Sequence, residues 1–476
     1  MSILSQADIE SLLGSGLVSP SSPNGTRRIH KRRLNRSSDE ENSHLPLSPV
    51  SMASSASTSN MFSTIPEVLI SLATLKHLGC NEETATRLWG EWTNWPSGNP
   101  VRETDDEISG VPFIEFVTGH LASDRNIDTF DENNQEWYDC MNHCGTNPEV
   151  QASIMDPIFR DIRLTESCLF WIKDTVDLRY RGLVEVQKAS RDRTMTLQRA
   201  SSRPVGSGSG GHGGSSMGPS STYTTTVGVS GGQHSISGTM GMAPGISRDT
   251  AMSQIAVSAA ENSPGYTTLY KGLDQARLNG VFDDDGNVVN IGKLLSTPPT
   301  DFLSRDSGFY FAVNRDVAEY YACYAKRRDD VSSVAIVHIT IRNSAIENLS
   351  ATQLQKTYWP NTEWKNLVFH CRRRLRLPAE LRKFKDACLI IGTIAKKPNS
   401  VYNTMDSAQQ ITEAMVLKTS EGCNAVQYVF HNDEGEEFLE EHATPGLKVF
   451  PLTAQEFAVW HGEHMRDLPE SVEATG

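Results

Sequence analysis

The sequence predicts a multidomain protein with an all-α N-terminal domain and an α+β C-terminal domain, accompanied by a disordered N-terminus and a disordered linker. Three observations predict it. Apolar residues recur at helical spacing from Phe62 to about Arg193. In the stretch 201 to 250, 25 residues are Gly or Ser. From Pro264 onward the pattern changes to β-branched and aromatic runs bounded by Gly, Asp, Asn and Pro.

Residues 1–61 are rich in Ser, Pro, Asn and charge, with little apolar periodicity after Leu17, and are expected to be a disordered tail. Between Arg27 and Arg36 the run RRIHKRRLNR places six Arg or Lys among ten residues, flanked by Ser-Pro pairs at Ser19, Ser22 and Ser48. Such a run is either a nuclear-import signal with phosphorylation sites nearby or a solvated basic tract. The start of the chain has no basic region followed by an apolar block, so it does not read as a secretory signal.

Residues 62–195 read as the all-α domain. In NEETATRLWGEW, Asn81 is placed to cap a helix, Glu82 and Glu83 favour the positive end of its dipole, and Ala85, Leu88 and Trp92 share a face. Phe113, Phe116, Val117 and Leu121 repeat at three and four, as do Leu169, Ile172, Val176, Tyr180 and Leu183. Cys140, His143 and Cys144 carry zinc-type donors, but no second ligand pair is near in sequence, so core cysteines are expected. Asp124, Asn126, Asp128 and Asp131 lack the Gly and the final Glu of a calcium loop. No metal is assigned.

Residues 196–262 are the expected flexible linker, which as a random coil of about 60 residues holds its ends roughly 40 to 45 Å apart. The two domains are then expected to act nearly independently. Residues 263–455 form the α+β domain. Its strands are TTLYKG, SGFYFAV, SSVAIVHITIR, DACLIIGTIA and NAVQYVFH, and a helix after Asn314 carries Val317, Tyr320, Tyr321 and Tyr324 as a stripe. Phe282-Asp-Asp-Asp-Gly286-Asn287 reads as a turn, and residues 456–476 as a polar tail.

The net charge of −14 argues against general nucleic-acid affinity. Apolar runs are strand-sized, so no membrane span is expected. The eight cysteines are sparse for the length and fit reduced thiols inside a cell, in nucleus or cytoplasm.

Three fragments of the C-terminal domain resemble the ADP-ribosyltransferase superfamily, in the form of the poly-ADP-ribose polymerases and related fungal proteins of unknown function. Leu269-Tyr270-Lys271-Gly272 resembles the opening strand, where the family places His or Arg before Gly. Gly308-Phe-Tyr310-Phe-Ala312, with Ala318 and Tyr321 on the next helix, is similar to the Gly-x-Tyr-Phe-Ala strand and its following helix. Val426-Gln427-Tyr428 resembles the late strand that carries a catalytic Glu before a Tyr.

The resemblance implies NAD as substrate, with Tyr270, Lys271, Gly272, Gly308, Tyr310 and Tyr321 around it. Gly272 would bond the nicotinamide amide, Lys271 a ribose hydroxyl, Tyr310 would stack on the nicotinamide, and Gln427 would contact the reacting ribose. Lys271, Tyr310 and Gln427 are the implied catalytic set. Cleaving nicotinamide from NAD builds positive charge on a ribose, which the site must stabilise. Lys271 stands where the family has His or Arg, and Gln427 stands where it has Glu. A neutral amide keeps an acceptor and loses the charge. Glu413 or Glu421 is the alternative carboxylate, and Ser307 is either a ribose-binding hydroxyl or a turn residue.

Two functions follow. One is mono-ADP-ribosyl transfer to a protein acceptor, or NAD hydrolysis, by a domain attached to a helical accessory unit. The other is a catalytically inactive module of that fold that binds a protein or ADP-ribose. The tract CRRRLRLPAELRKFK, with Arg372 to Arg374, Arg376, Arg382, Lys383 and Lys385, is a phosphate-binding patch or a solvated face.

Overall fold

The computed structural model describes residues 1–34, 61–96, 98, 101–103, 110–121, 127–201, 264–283, 286–296 and 300–466. Among these, the five apolar runs after Pro264 all become strands of one seven-stranded sheet. They are β3 (Tyr266–Asp274), β4 (Phe309–Ala312), β5 (Val334–Arg342), β7 (Leu389–Thr393) and β8 (Val426–Phe430). Two further strands, β6 (Leu354–Thr357) and β9 (Lys448–Leu452), close the edges in the order β6-β7-β8-β4-β3-β5-β9. Only β6 and β7 run parallel. The chain therefore combines a helical part with a mixed sheet, as the sequence predicts.

Register positions the site. Tyr270 pairs with Ala312, Ala312 with Gln427, and Gln427 with Gly392, so these four residues form one row across β3, β4, β8 and β7. Paired residues point to the same face of a sheet. β3 stays paired with β5 from Tyr266 to Asp274 but meets β4 only at Tyr270. Past that point the sheet splits, and the edge of β3 from Lys271 is open.

The helical part follows its caps. Asn81 accepts from the Thr84 amide at 2.9 Å and starts the helix Glu82–Thr93, whose Ala85, Leu88 and Trp92 are buried as expected. Asn147 precedes Pro148–Ile154 with Pro at the first position. Asp128 accepts from the Leu169 amide at 2.9 Å at the head of the long helix Cys168–Ser201. All eight cysteines are free. The turn at Phe282 closes as expected, with the Asp283 carboxylate accepting from the Asn287 amide at 2.7 Å.

Five sequence expectations fail. Residues 1–34 are ordered: Ser5 caps the helix Gln6–Gly14, and Asp8 is buried against Arg193 of the long helix at 3.0 Å. Ile3, Leu4, Ile9, Leu12 and Leu17 are apolar enough to fold, but the surface they bury against lies far along the chain. Residues 27–34 of the basic run form no exposed linear tract. Thr26–His30 is β1, paired antiparallel with β2 (Phe62–Pro66). Arg27 is bonded to Glu67, Lys31 to Asp330, and Arg32 is buried. Residues 35–60 lie outside the described residues.

The long helix crosses the expected boundary at 195 and ends at Ser201. The rest of the expected linker lies outside the described residues. The two domains are also not separate. The helix Arg315–Arg328 packs Ala318 and Ala322 toward the sheet and turns Tyr324 onto Phe159 and Trp171 of the helical part, at 5.1 and 4.8 Å between ring centroids. Arg328 reaches Asp174 at 2.7 Å, and Ser332 donates to the Leu178 carbonyl at 3.0 Å. A Cβ on Gly182 would lie 2.5 Å from the Ser332 hydroxyl, so the long helix passes closely by the turn ahead of β5 at that glycine. The expected tail after 455 is instead a helix, Ala454–Arg466, with Trp460 stacked on Phe159 at 5.5 Å.

Among the described residues, no helix is long and apolar enough to cross a membrane.

Candidate functional site

Where the sheet splits, a cavity of about 560 Å³ opens between sheet and helical part. Its floor is the row from Tyr270 to Gln427 with the free edge of β3. Ala318, Tyr321, Ala325 and Arg328 form one wall. The roof is Thr165, Glu166 and the first turns of the long helix, through Phe170, Trp171, Asp174 and Leu178. The cavity belongs to both parts of the chain.

Six of the residues singled out from sequence line it: Tyr270, Lys271, Gly272, Tyr310, Tyr321 and Gln427. Gly308 does not. It bridges to Ser296 and passes so near Leu303 that a Cβ would lie 2.4 Å from that side chain. Ser307 is exposed, in keeping with the turn reading. Glu413 is exposed and bonded to Lys418, and Glu421 is exposed, so neither replaces a carboxylate on β8.

The local chemistry at each position is specific. Gly272 brings β3 against the helix Arg315–Arg328: a Cβ there would sit 2.0 Å from the Ala318 carbonyl oxygen. Lys271 donates to the Ser296 hydroxyl at 2.9 Å and to the Tyr310 carbonyl at 3.2 Å. Burial, with Arg277 nearby, pulls its ammonium down to about 7. The Tyr310 hydroxyl is hydrogen-bonded to Thr300, and burial pushes it well above the usual phenol range. Burial also pushes Tyr321 up to about 12, against a hydrogen bond with Thr165 of the roof.

Gln427 is held by a residue the sequence did not single out. Its Nε2 donates to Asp301 Oδ2 at 2.8 Å. An ionised carboxylate only accepts, so this bond fixes the amide orientation and leaves Oε1 as the acceptor. Asp301 also accepts from the Ala395 amide at 2.8 Å, from Arg372 Nε at 2.7 Å and from Arg372 Nη2 at 2.6 Å. Arg372 thus turns inward from the basic tract. Arg374, Arg376, Arg382, Lys383 and Lys385 are exposed, as a solvated face requires.

On its other side Arg372 Nη1 stands 3.8 Å from Glu166 Oε1. Burial, partly offset by Arg372, raises Glu166 to about 7. The remaining charges of the cavity pair as Arg328 with Asp174 at 2.7 Å and Arg181 with Asp274 at 3.3 Å. Lys271 and Arg277 form no salt bridge to a carboxylate among the described residues. Arg277 donates to the Leu295 carbonyl at 3.4 Å and lies near enough to Asp274 to favour its charged form, without a salt bridge to it.

The cysteine group near His143 gathers differently from its sequence spacing. The Cys140 thiol contacts both Cys144 and Cys168, and these two hydrogen bonds hold it well below the usual thiol range. No group of three His, Cys, Asp or Glu among the described residues is arranged to hold a metal ion.

A scan against models of known protein families finds no match, and neither do searches of curated proteins and of solved structures.

Proposed function

We propose that the cavity binds NAD and that the protein is an ADP-ribosyltransferase-like enzyme, transferring a single ADP-ribose unit to a protein acceptor or hydrolysing NAD. The observation that supports this reading most is the shared row. Three fragments far apart in sequence, around Lys271, Tyr310 and Gln427, stand on adjacent strands and border one cavity. Its volume falls in the range of small-molecule and cofactor sites.

The chemistry of the lining suits a dinucleotide. Arg277, and Lys271 when protonated, supply positive charge that forms no salt bridge to a carboxylate among the described residues, which favours a pyrophosphate. The edge of β3 from Lys271, unpaired with β4, leaves backbone groups for a ligand amide. Gln427, its Nε2 held by Asp301, presents Oε1 to a ribose hydroxyl. Tyr310 and Tyr321 offer ring faces for the nicotinamide.

A titration of the full chain with NAD tests the reading. Binding with millimolar affinity or better is expected, and absence of heat at millimolar NAD would remove it. Release of nicotinamide, compared with a Tyr310→Ala variant, tests cleavage.

A second reading is a non-catalytic module that binds ADP-ribose or a protein. What favours it is the amide at Gln427 in place of a carboxylate, since losing a charge aimed at the transition state commonly costs two or three orders of magnitude in rate. Binding of NAD or ADP-ribose with equal background release from wild type and Tyr310→Ala is its expected signature.

A further inference from the structure

Among the described residues the cavity has four carboxylates, and they differ in how much of their acceptor capacity is used. Asp301 accepts from Arg372 twice, from Gln427 and from the Ala395 amide. Its acceptor positions are taken up by these four bonds. Asp174 is bonded to Arg328 at 2.7 Å, and that guanidinium is held against the rings of Trp171 and Tyr324. Asp274 is bonded to Arg181 and lies four residues along β3 from Tyr270, about 13 Å from the row that contains Gln427.

Glu166 is different. Its nearest cation is Arg372, at 3.8 Å, and that guanidinium is already bound to Asp301 at 2.6 Å. Through Arg372 and Asp301 it is connected to the Gln427 amide, so it borders the same end of the cavity as the row. It comes from the helical part, just ahead of the long helix.

We propose that Glu166 is the acid–base residue of NAD cleavage, supplied across the cavity by the helical part where β8 carries an amide. The inference rests on the NAD reading above. In the step, the ribose C1′–N bond to nicotinamide breaks and its electron pair returns to the pyridine nitrogen, neutralising the leaving group. A hydroxyl of water or of the acceptor forms the new C1′–O bond. Its proton passes to the Glu166 carboxylate, so atoms and charge balance.

The surroundings allow a base at neutral pH. Glu166 faces Arg372 and Asp301 from the sheet side, Asp128 and Asp174 from the helical part, and Tyr321 and Tyr402 from the flanking helices. Burial and the three aspartates favour the protonated form and Arg372 opposes it, which holds the carboxyl at about 7. Lys271 is the other group that titrates near neutrality, but its nitrogen is engaged with Ser296 and the Tyr310 carbonyl.

The test uses the full chain. NAD affinity is measured by titration, and nicotinamide release is followed from about pH 5.5 to about 8.5, for wild type, Glu166→Gln and Glu166→Asp. Wild-type kcat is expected to rise through about pH 7. Glu166→Gln is expected to lose about 100-fold in kcat, as removal of a general base does, with the rise gone and NAD affinity within about two-fold. Glu166→Asp should regain part of the rate together with the pH dependence.

Unfolding does not imitate this result. A carboxyl raised above its unfolded value destabilises the fold once pH exceeds the folded value, so at pH 8 Glu166→Gln is expected to melt no lower than wild type. If NAD does not bind, the NAD reading and the role of Glu166 fall together. If NAD binds but is not cleaved, or Glu166→Gln cleaves it at the wild-type rate and pH dependence, the role of Glu166 is refuted and the NAD site stands.

Discussion

Replacing Arg372 by Met removes the charge that holds the polar end of the cavity together. The Asp301 and Arg372 side chains are only 4% and 10% exposed, and their two contacts are 2.7 and 2.6 Å. Arg372 Nη1 also reaches Asn399 at 3.3 Å, and the guanidinium lies over the Tyr402 ring. Without it, Asp301 keeps the Gln427 amide and the Ala395 N–H but loses its counter-charge. Breaking a buried pair from one side typically costs about 3–5 kcal/mol, because the remaining charge is left uncompensated. At about 2–4 °C per kcal/mol this is a fall in Tm of roughly 6 to 20 °C. Urea unfolding followed by circular dichroism measures it, with the slope expected to be unchanged. Adding Asp301→Asn to Arg372→Met should recover part of the loss, since no orphan charge then remains. A loss below about 1 kcal/mol, the size seen for exposed pairs, would refute the buried-pair argument.

Further outcomes are expected elsewhere. Gly272→Ala places a methyl 2.0 Å from the Ala318 carbonyl, so β3 and the helix Arg315–Arg328 must separate. A loss of about 1–3 kcal/mol is expected, read by thermal unfolding. Lys271 titrates near 7 in the folded chain and near 10.5 when unfolded. The unfolded chain therefore binds the extra proton between those values, and stability should rise with pH across that window. Lys271→Met should flatten the rise, as measured by chemical unfolding at several pH values. Residues 264–476 expressed alone would expose Tyr324, Cys323 and Val317. Aggregation or dye binding to apolar surface is expected by size-exclusion chromatography and fluorescence, whereas a compact monodisperse product would contradict the shared core.

The strands legible in the sequence are those buried on both flanks. β3, β4, β5, β7 and β8 lie inside the sheet and are rich in β-branched and aromatic residues. LQKT and KVFPL, which become β6 and β9, sit at the edges and are only partly buried, so their composition does not announce a strand. Lys271, Tyr310 and Gln427 are legible because each lies within a short local pattern. Asp301, Arg372 and Glu166 are not. Arg372 lies 71 residues from Asp301, and Asp301 lies 126 from Gln427, so only folding brings them together.

The helix after Asn314 shows the same limit in another form. Its tyrosine stripe was visible, but a second face, Ala318 and Ala322, is buried as well. Small residues at these positions allow close approach to β3, and helical periodicity alone does not separate that use from solvent exposure. The N-terminal segment is not legible locally because its few apolar residues find their partner surfaces at β2 and on the long helix, far along the chain.

The helix Arg315–Arg328 has a consequence for how this protein can change over generations. One side must match the sheet and the other must match Phe159 and Trp171. A recombination event that exchanged either part for a homologous stranger would leave half of this helix against an unfitted surface. Innovation at this junction is therefore confined to paired, compensating substitutions, and the two parts are inherited as one piece.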